Sequence, residues 1–201
     1  RSDLGELLGE ADRDHAGRVV LALYDFPKPV IGLINGAAVG VGATMTLPMD
    51  YRIASVNARI GFVFSRRGIS PEGCSSWFLP RLVGITTALR WCYSGDLISA
   101  SDALAAGLVN ELVEKDLIAA GLRIVRELTA NSSALSIAVI RQLMWRMMAA
   151  EHPMSAHRVE SKILLELGAL PDAREGVAAF LDKRRPVFSG SVAKDMPASY
   201  P

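Results

Sequence analysis

The chain has 201 residues, half of them hydrophobic and 21% charged, which excludes intrinsic disorder and suits one domain, with or without an appendage. Its 22 basic and 21 acidic residues give a formal net charge of +1, so we expect no nucleic-acid partner. Two cysteines and three histidines stand at no metal-ligand spacing, so we expect no disulfide scaffold, no metal and a cytoplasmic location.

A long stretch without charge lies between Lys28 and Asp50, and as a helix it would be long enough to cross a bilayer. It contains Asn35, Pro48 and four glycines, and half of its apolar residues are alanine or valine. Its first residues, Pro-Val-Ile-Gly-Leu-Ile from Pro29, are typical of a short buried strand. We therefore predict a globular segment here and no membrane partner.

Apolar periodicity predicts alternating helices and strands in the first part of the chain. A helix is expected over residues 4–25, where Pro27 and Pro29 stop it. Residues 30–34 read as a strand that is buried on both faces. The other elements expected here are a helix starting within 43–49, strands over 50–54 and 58–63, a short helix from Ser99 to Gly107, and a strand over 108–113.

The last third of the chain is predicted to be helical, over 116–129, 135–149 and 155–167. Asp172 and Glu175 form a capping-box pattern that would open a final helix. The tail after Ser189 is polar and is expected to be loose. We therefore predict an α/β core over 1–115 and a helical region over 116–201 whose apolar faces need a partner. Those faces hold Ile137, Ile140, Met144, Met147 and Met148 on one helix, Ala156, Val159, Ile163 and Leu167 on the next, and Val177, Phe180 and Leu181, expected to be buried, on the last.

A glycine-rich turn, Gly40-Val41-Gly42-Ala43-Thr44, follows a predicted strand and opens a helix. Backbone N–H groups in such a turn can hold a phosphate or a developing oxyanion. The same glycines would also serve close packing of helix on strand, and the pattern alone leaves both interpretations open. A dinucleotide site is a weak third interpretation, because the third glycine of that fingerprint is missing.

Glu72 stands in a turn of small residues, Ser70-Pro71-Glu72-Gly73-Cys74-Ser-Ser. The aromatic segments on either side could desolvate its carboxyl and raise its pKa toward the range useful for proton transfer. The alternative is an ordinary helix start, with Ser70 as N-cap, Pro71 at the first position and the glutamate in the first turn.

A basic cluster, Lys183-Arg184-Arg185, is followed by Pro-Val-Phe188. It could bind a phosphorylated ligand, or it could be the solvated end of a helix, where cations favour the dipole. Both interpretations remain open from the residues alone.

Five segments together carry a family likeness: residues 28–42, 50–54, 58–62, 97–109 and 172–188. They resemble the enoyl-CoA hydratase/isomerase (crotonase) superfamily from about residue 17 to 190. The resemblance implies a crotonase-like ββα spiral core and a C-terminal helical trimerisation region. Family members begin with several strands that supply a second oxyanion-hole donor, and this chain starts after them, so we expect that part to be missing.

The family's active-site positions separate its subfamilies. Hydratases use two glutamates, and the matching positions of this chain hold Thr44 and Phe64, neither of which can do acid–base work. The Ser-Pro-Glu-Gly-Cys-Ser-Ser segment is instead similar to peroxisomal-type Δ3,Δ2-enoyl-CoA isomerases, in which this glutamate is the catalytic base. The resemblance therefore implies that Glu72 is the base and that the Val41 N–H belongs to the oxyanion hole.

The remaining site residues are also implied by the resemblance. An acyl pocket would be lined by Thr44, Phe64 and Trp77, with no chemistry assigned to the Thr44 hydroxyl. The coenzyme A end of the substrate would be held by Lys183, Arg184, Arg185 and Phe188.

The implied activity is an enoyl-CoA isomerase of fatty acid degradation that needs no cofactor beyond the coenzyme A thioester of its substrate. The implied assembly is a homotrimer or hexamer. A hydratase of the same family and a catalytically degenerate acyl-CoA-binding homologue remain the alternatives.

Overall fold

The structure, a computed structural model, describes residues 13–200, and its first helix is α1, His15–Asp25. Asp14 precedes this helix, and its Oδ1 accepts a hydrogen bond of 2.6 Å from the Gly17 N–H. A carboxylate in this position satisfies one of the N–H groups that a helix start leaves unpaired. The helix predicted over 4–25 is confirmed from His15 onward, and its part before residue 13 lies outside the described residues.

The charge-free stretch folds as two short strands and one helical turn: β1, Ile31–Ile34; β2, Ala37–Val39; and α2, Val41–Thr44. Within residues 13–200, no helix combines the length and apolar character that crossing a bilayer requires. The predicted first strand is confirmed, but its burial on both faces is wrong, because Leu33 is 40% exposed. In the described residues β1 lies at the edge of its sheet.

The strands of residues 13–200 form two separate sheets of three strands each. Besides β1 and β2 they are β3, Tyr51–Ser55; β4, Arg59–Gly61; β5, Leu97–Ser99; and β6, Glu111–Val113. The first sheet has the order β1-β3-β6 and is parallel throughout, whereas in the second, β2-β4-β5, the β4–β5 pair is antiparallel. Because β1 and β2 follow each other in the chain but join different sheets, the path winds between the sheets.

Four helices lie between β4 and β6 in the chain, and an aromatic contact packs one of them against the residues after β4. The ring of Phe62, just after β4, is fully buried and stacks on Trp91 with 6.2 Å between centroids. The short helix predicted from Ser99 is confirmed, because Ser99 Oγ accepts the Asp102 N–H at its start. These helices are α3, Phe64–Arg67; α4, Ser75–Val83; α5, Ile85–Ser94; and α6, Ala100–Ala105.

A buried arginine on β3 ties three parts of the core together. The Nε of Arg52 donates to the Leu108 carbonyl at 2.5 Å, and Nη1 donates to the Met49 carbonyl. Burial lowers the pKa of Arg52 and the charge of Asp50 partly offsets this, which leaves the pKa at about 10. The side chain therefore stays cationic at neutral pH. The strand predicted over 108–113 begins only at Glu111, because the Leu108 carbonyl serves Arg52 instead of a strand ladder.

The chain divides into two compact units. The described part of the first comprises residues 13–25 and 30–122, and that of the second comprises residues 26–29 and 123–200. The helices of the C-terminal part are α7, Leu117–Thr129; α8, Ala134–Met147; α9, Pro153–Gly168; and α10, Pro171–Leu181. The division between the two units falls inside α7.

The start of α10 differs from the predicted capping box. Leu170 precedes the helix and gives no side-chain cap, while the buried Asp172 carboxylate accepts hydrogen bonds from Ser133 Oγ and from the Ser189 and Gly190 N–H groups. Burial raises the pKa of Asp172, but these three hydrogen bonds outweigh it and hold the pKa below its ordinary value. Because Asp172 and Glu166 bind segments after Pro186, the expectation of a loose tail is wrong.

The apolar faces predicted in the C-terminal region are largely exposed. On α8 the side chains of Ile140 and Met144 are 54% and 68% exposed, whereas the polar Arg141 and Gln142 are buried. Arg141 and Gln142 both donate to the Phe26 carbonyl of the same unit, which explains why the polar side of the helix faces inward. The predicted burial on α10 is wrong for its three apolar residues, Val177, Phe180 and Leu181, which are 62–82% exposed.

Candidate active site

Glu72 lies in a tight turn ahead of α4, not in a helix. The helix begins at Ser75 with Cys74 as its N-cap, so the helix-start interpretation of Ser70 and Pro71 is wrong. Gly73 and Cys74 both have positive φ angles, 58° and 54°, and in Cys74 such an angle is strained. Two consecutive residues in the left-handed conformation make the turn tight directly after Glu72.

The turn is held at both ends by hydrogen bonds. The Ser75 N–H and hydroxyl both donate to the Glu72 carbonyl, at 3.0 and 2.6 Å. The Gly73 N–H donates to Asp14 Oδ1 at 3.2 Å, so the carboxylate at the start of α1 also anchors the turn. Sequence reasoning missed Asp14, because 59 positions separate it from Gly73 and no local pattern joins them.

The Glu72 carboxyl meets the end of the helical turn α2. The Thr44 hydroxyl is 2.8 Å from Glu72 Oε1 and donates a hydrogen bond to it. No chemistry was expected of the Thr44 hydroxyl, and the structure adds this contact with the Glu72 carboxyl. Thr44 is fully buried at the end of α2.

The surroundings of Glu72 favour the protonated carboxyl. Burial raises the pKa of Glu72 above its ordinary value, the hydrogen bond from Thr44 lowers it, and the negative charge of Asp14 raises it further. Oε2 is buried and has no hydrogen-bond partner among the described residues. A carboxyl whose pKa is raised by burial is suited to accept a proton and to release it again.

The glycine turn precedes α2 and lies beside the same threonine. Gly40 has a φ of 57°, which only glycine adopts readily, and its N–H donates to the Gly61 carbonyl at 3.0 Å. Within residues 13–200 the N–H of Val41 donates to no carbonyl or side chain. The Val41 carbonyl is 3.4 Å from the Thr44 hydroxyl, so Thr44 stands between this turn and Glu72.

The residues expected to line the acyl pocket lie in different surroundings. Phe64 is only 3% exposed, and its ring lies 6.4 Å from that of Phe62, so it fills the core. Trp77 is half-buried on α4 and packs edge-on against Tyr24, and the Arg81 guanidinium lies 4.0 Å above its ring.

A cavity of about 240 Å³ between α4 and α5 was not predicted from the sequence. Its walls are mostly apolar and include residues directly adjacent to the Glu72 turn. They include Pro71, Ser75, Leu79, Ala88 and Cys92.

The basic cluster belongs to the second unit and is not uniformly available to a ligand. Arg184 forms a two-point ion pair with Glu175, at 2.6 and 2.9 Å, which lowers the pKa of Glu175 to about 2. Lys183 and Arg185 are exposed. Phe188 is half-buried and lines a groove of this unit together with Gly176.

Known proteins are similar to this chain in sequence and in fold. A family model described as enoyl-CoA hydratase/isomerase matches residues 9–191. Enoyl-CoA hydratase ACTT3 from Alternaria alternata is 40% identical, and the match covers 94% of this chain and 66% of that protein. The 1,2-epoxyphenylacetyl-CoA isomerase of Escherichia coli is 32% identical, covering 86% and 65%. The crystal structure of an enoyl-CoA hydratase from Bacillus anthracis superposes with a TM-score of 0.81 at 27% identity, covering 88% of this chain and 68% of that one. The chain spans about two thirds of the length of these relatives.

Proposed function

Because the chain belongs to the enoyl-CoA hydratase/isomerase family, we propose that it processes acyl-CoA thioesters and moves the double bond of a 3-enoyl-CoA to the 2-position. The observation that supports this most strongly is the position of Glu72. Its carboxyl is partly buried, accepts a hydrogen bond from Thr44 at the end of the glycine turn, and has a pKa above its ordinary value. The two positions at which family hydratases carry glutamates hold Thr44 and Phe64.

Double-bond migration needs only one group that accepts and returns a proton. Ionised Glu72 takes a proton from C2, beside the thioester carbonyl, and the electron pair of that bond moves toward the carbonyl oxygen. The dienolate then returns its electrons through C2 and C3 to C4, where the same carboxylic acid delivers the proton. Carbon, hydrogen and charge balance without water or any cofactor, and the product is the 2-enoyl thioester.

The charge that develops on the thioester oxygen needs hydrogen-bond donors that are already in place. We assign the Val41 N–H to this role, because it precedes Thr44 by three residues and donates to no described group. We assign the acyl pocket to Trp77 and to the cavity between α4 and α5.

The second candidate is hydration of a 2-enoyl-CoA. It is favoured by relatives such as ACTT3 of Alternaria alternata, which is named an enoyl-CoA hydratase. Hydration is easiest with one group that deprotonates water and another that protonates carbon, and the positions of Thr44 and Phe64 supply neither. A chain that binds acyl-CoA without turning it over is the third candidate.

One assay separates these candidates. The protein is given a 3-enoyl-CoA and, separately, a 2-enoyl-CoA in water, and the rates of double-bond migration and of 3-hydroxyacyl-CoA formation are compared. We expect migration to be faster. Glu72→Gln keeps the shape but removes the base, and should lower kcat by about 10²–10⁴-fold. The exposed Glu114→Gln serves as the matched control and should leave both rates unchanged.

Three results would overturn the assignment. Faster hydration would favour the second candidate, and tight acyl-CoA binding without any turnover would favour the third. Full activity in Glu72→Gln would remove the base from the mechanism.

We further propose that the protein forms a homotrimer or hexamer through its C-terminal helices. Support comes from the large apolar side chains that these helices leave exposed. They include Ile140, Met144, Leu164, Leu165 and Phe180.

For the coenzyme A phosphates we propose Lys183 and Arg185 as the main ligands, because Arg184 already pairs with Glu175.

A further inference from the structure

We propose that Thr44 is a positioning residue, which holds one oxygen of the Glu72 carboxyl so that the other oxygen alone carries the proton. This inference rests on the proposed function, because it concerns how the base of that reaction is used. It concerns a side chain that stands where family hydratases place a carboxylate, and to which the sequence assigned no chemistry.

The geometry gives the Thr44 hydroxyl a single partner. Two acceptors lie near its Oγ1: Glu72 Oε1 at 2.8 Å and the Val41 carbonyl at 3.4 Å. A hydroxyl has one proton to donate, and O–H···O hydrogen bonds in proteins are 2.5–3.0 Å long. The proton therefore points to Glu72, and the Val41 carbonyl is too distant to compete for it.

The two oxygens of the Glu72 carboxyl are consequently not equivalent. Oε1 accepts from Thr44, whereas Oε2 is buried and has no partner among the described residues. A buried carboxylate oxygen without a donor is costly, and a proton on that oxygen removes the cost. Oε2 is thus the oxygen that takes the proton from the substrate and returns it.

The surrounding packing keeps Thr44 in this orientation. The residue is fully buried, and a β-branched side chain in a helix has few rotamers to choose from. Gly73 closes the other side: a Cβ built there would come within 2.7 Å of Thr44 Oγ1. A methyl group at position 73 would therefore displace the hydroxyl, and glycine leaves room for it.

The charge of Asp14 and the hydrogen bond from Thr44 shift the pKa of Glu72 in opposite directions. Asp14, at the start of α1, raises the pKa of the Glu72 carboxyl, and the hydrogen bond from Thr44 lowers it. The Cys74 thiol on the same turn has its own pKa raised, by burial and by the charges of Asp14 and Glu72, and stays neutral. Thr44 is therefore the group that keeps Glu72 available as a base despite its burial.

The test is the pH dependence of isomerisation in two variants with opposite expected shifts. Thr44→Val has nearly the same shape but no hydroxyl, so the acid limb of kcat/KM should move to higher pH and kcat should fall by about tenfold or more. Asp14→Asn removes a charge but can still cap α1, so its acid limb should move to lower pH. Thr44→Ser restores the donor and should return the limb toward its wild-type position.

A second readout does not depend on turnover. Infrared difference spectra between wild type and Glu72→Gln isolate the protonated carboxyl band of Glu72. In Thr44→Val this band should persist to higher pH than in the wild type, and thermal melts confirm that the variant is folded.

The failure of this inference differs from the failure of the proposed function. If Glu72→Gln is inactive but Thr44→Val keeps the wild-type acid limb and the wild-type infrared titration, Thr44 is only a packing residue. If Glu72→Gln is itself fully active, the proposed function fails, whatever the behaviour of Thr44→Val.

Discussion

Replacing Arg52 by methionine should destabilise the protein, because the buried arginine joins the distant Leu108 carbonyl to the turn just before its own strand. Its Nε–H donates to the Leu108 carbonyl at 2.5 Å, and Nη1 donates to the Met49 carbonyl. Arg52 is 3% exposed, so water cannot take over either hydrogen bond in the variant. Methionine fills much of the volume and isolates the loss of the donors.

The expected loss can be worked out from these contacts. Hydrogen bonds to a charged group contribute about 1.5–3 kcal/mol each, so two of them give about 3–6 kcal/mol. The variant recovers part of this, because it no longer desolvates a cation whose pKa burial lowers to about 10. We therefore expect the free energy of unfolding to fall by roughly 2–4 kcal/mol.

Urea unfolding followed by circular dichroism measures the effect, with the slope of the transition checked for constancy. Arg59→Met is the matched control: Arg59 also donates to backbone carbonyls, those of Asn57 and Ala58, but it is exposed. Its loss should stay within about 0.5 kcal/mol. Equal losses in the two variants would refute the reasoning, since burial is the main difference between them.

Two other predictions concern the second unit. Replacing Lys183 and Arg185 by alanine should raise KM more than it lowers kcat in steady-state kinetics, because the coenzyme A end is bound alike in ground and transition states; an unchanged KM would show that both are merely solvated. Phe180 is 82% exposed, and Phe180→Asp should shift the mass measured by light scattering from an oligomer toward a monomer; a wild-type protein that is already monomeric would contradict the proposed assembly.

The sequence alone identified those parts of the site whose signal is local. The residues around Glu72 indicated a turn that could desolvate a carboxyl, and the structure places the pKa of that carboxyl above its ordinary value. Gly40 and the residues after it predicted a turn between strand and helix, and the φ of 57° at Gly40 fits that prediction. Such features depend on a few consecutive residues, so their spacing carries the information.

Periodicity identified helices but not which of their faces is covered. The apolar row of α8 containing Ile140 and Met144 is exposed in the chain, and Arg141 and Gln142 face inward to the Phe26 carbonyl. An amphipathic pattern shows that a face needs apolar contact, and it does not show whether the same chain or another one provides it.

Only the tertiary structure decided the partners of Glu72. Thr44 is 28 positions from Glu72 in the chain. Gly73, the residue after Glu72, donates to Asp14, which is 59 positions away from it. The winding of the chain between two sheets brings α1, α2 and the turn before α4 together, and a hydrogen bond of 2.8 Å depends on that juxtaposition. The sequence by itself thus indicated the family, many of the helices and strands, and the acidic residue. Which oxygen of that residue is held, and by which donor, follows from contacts that no local pattern records.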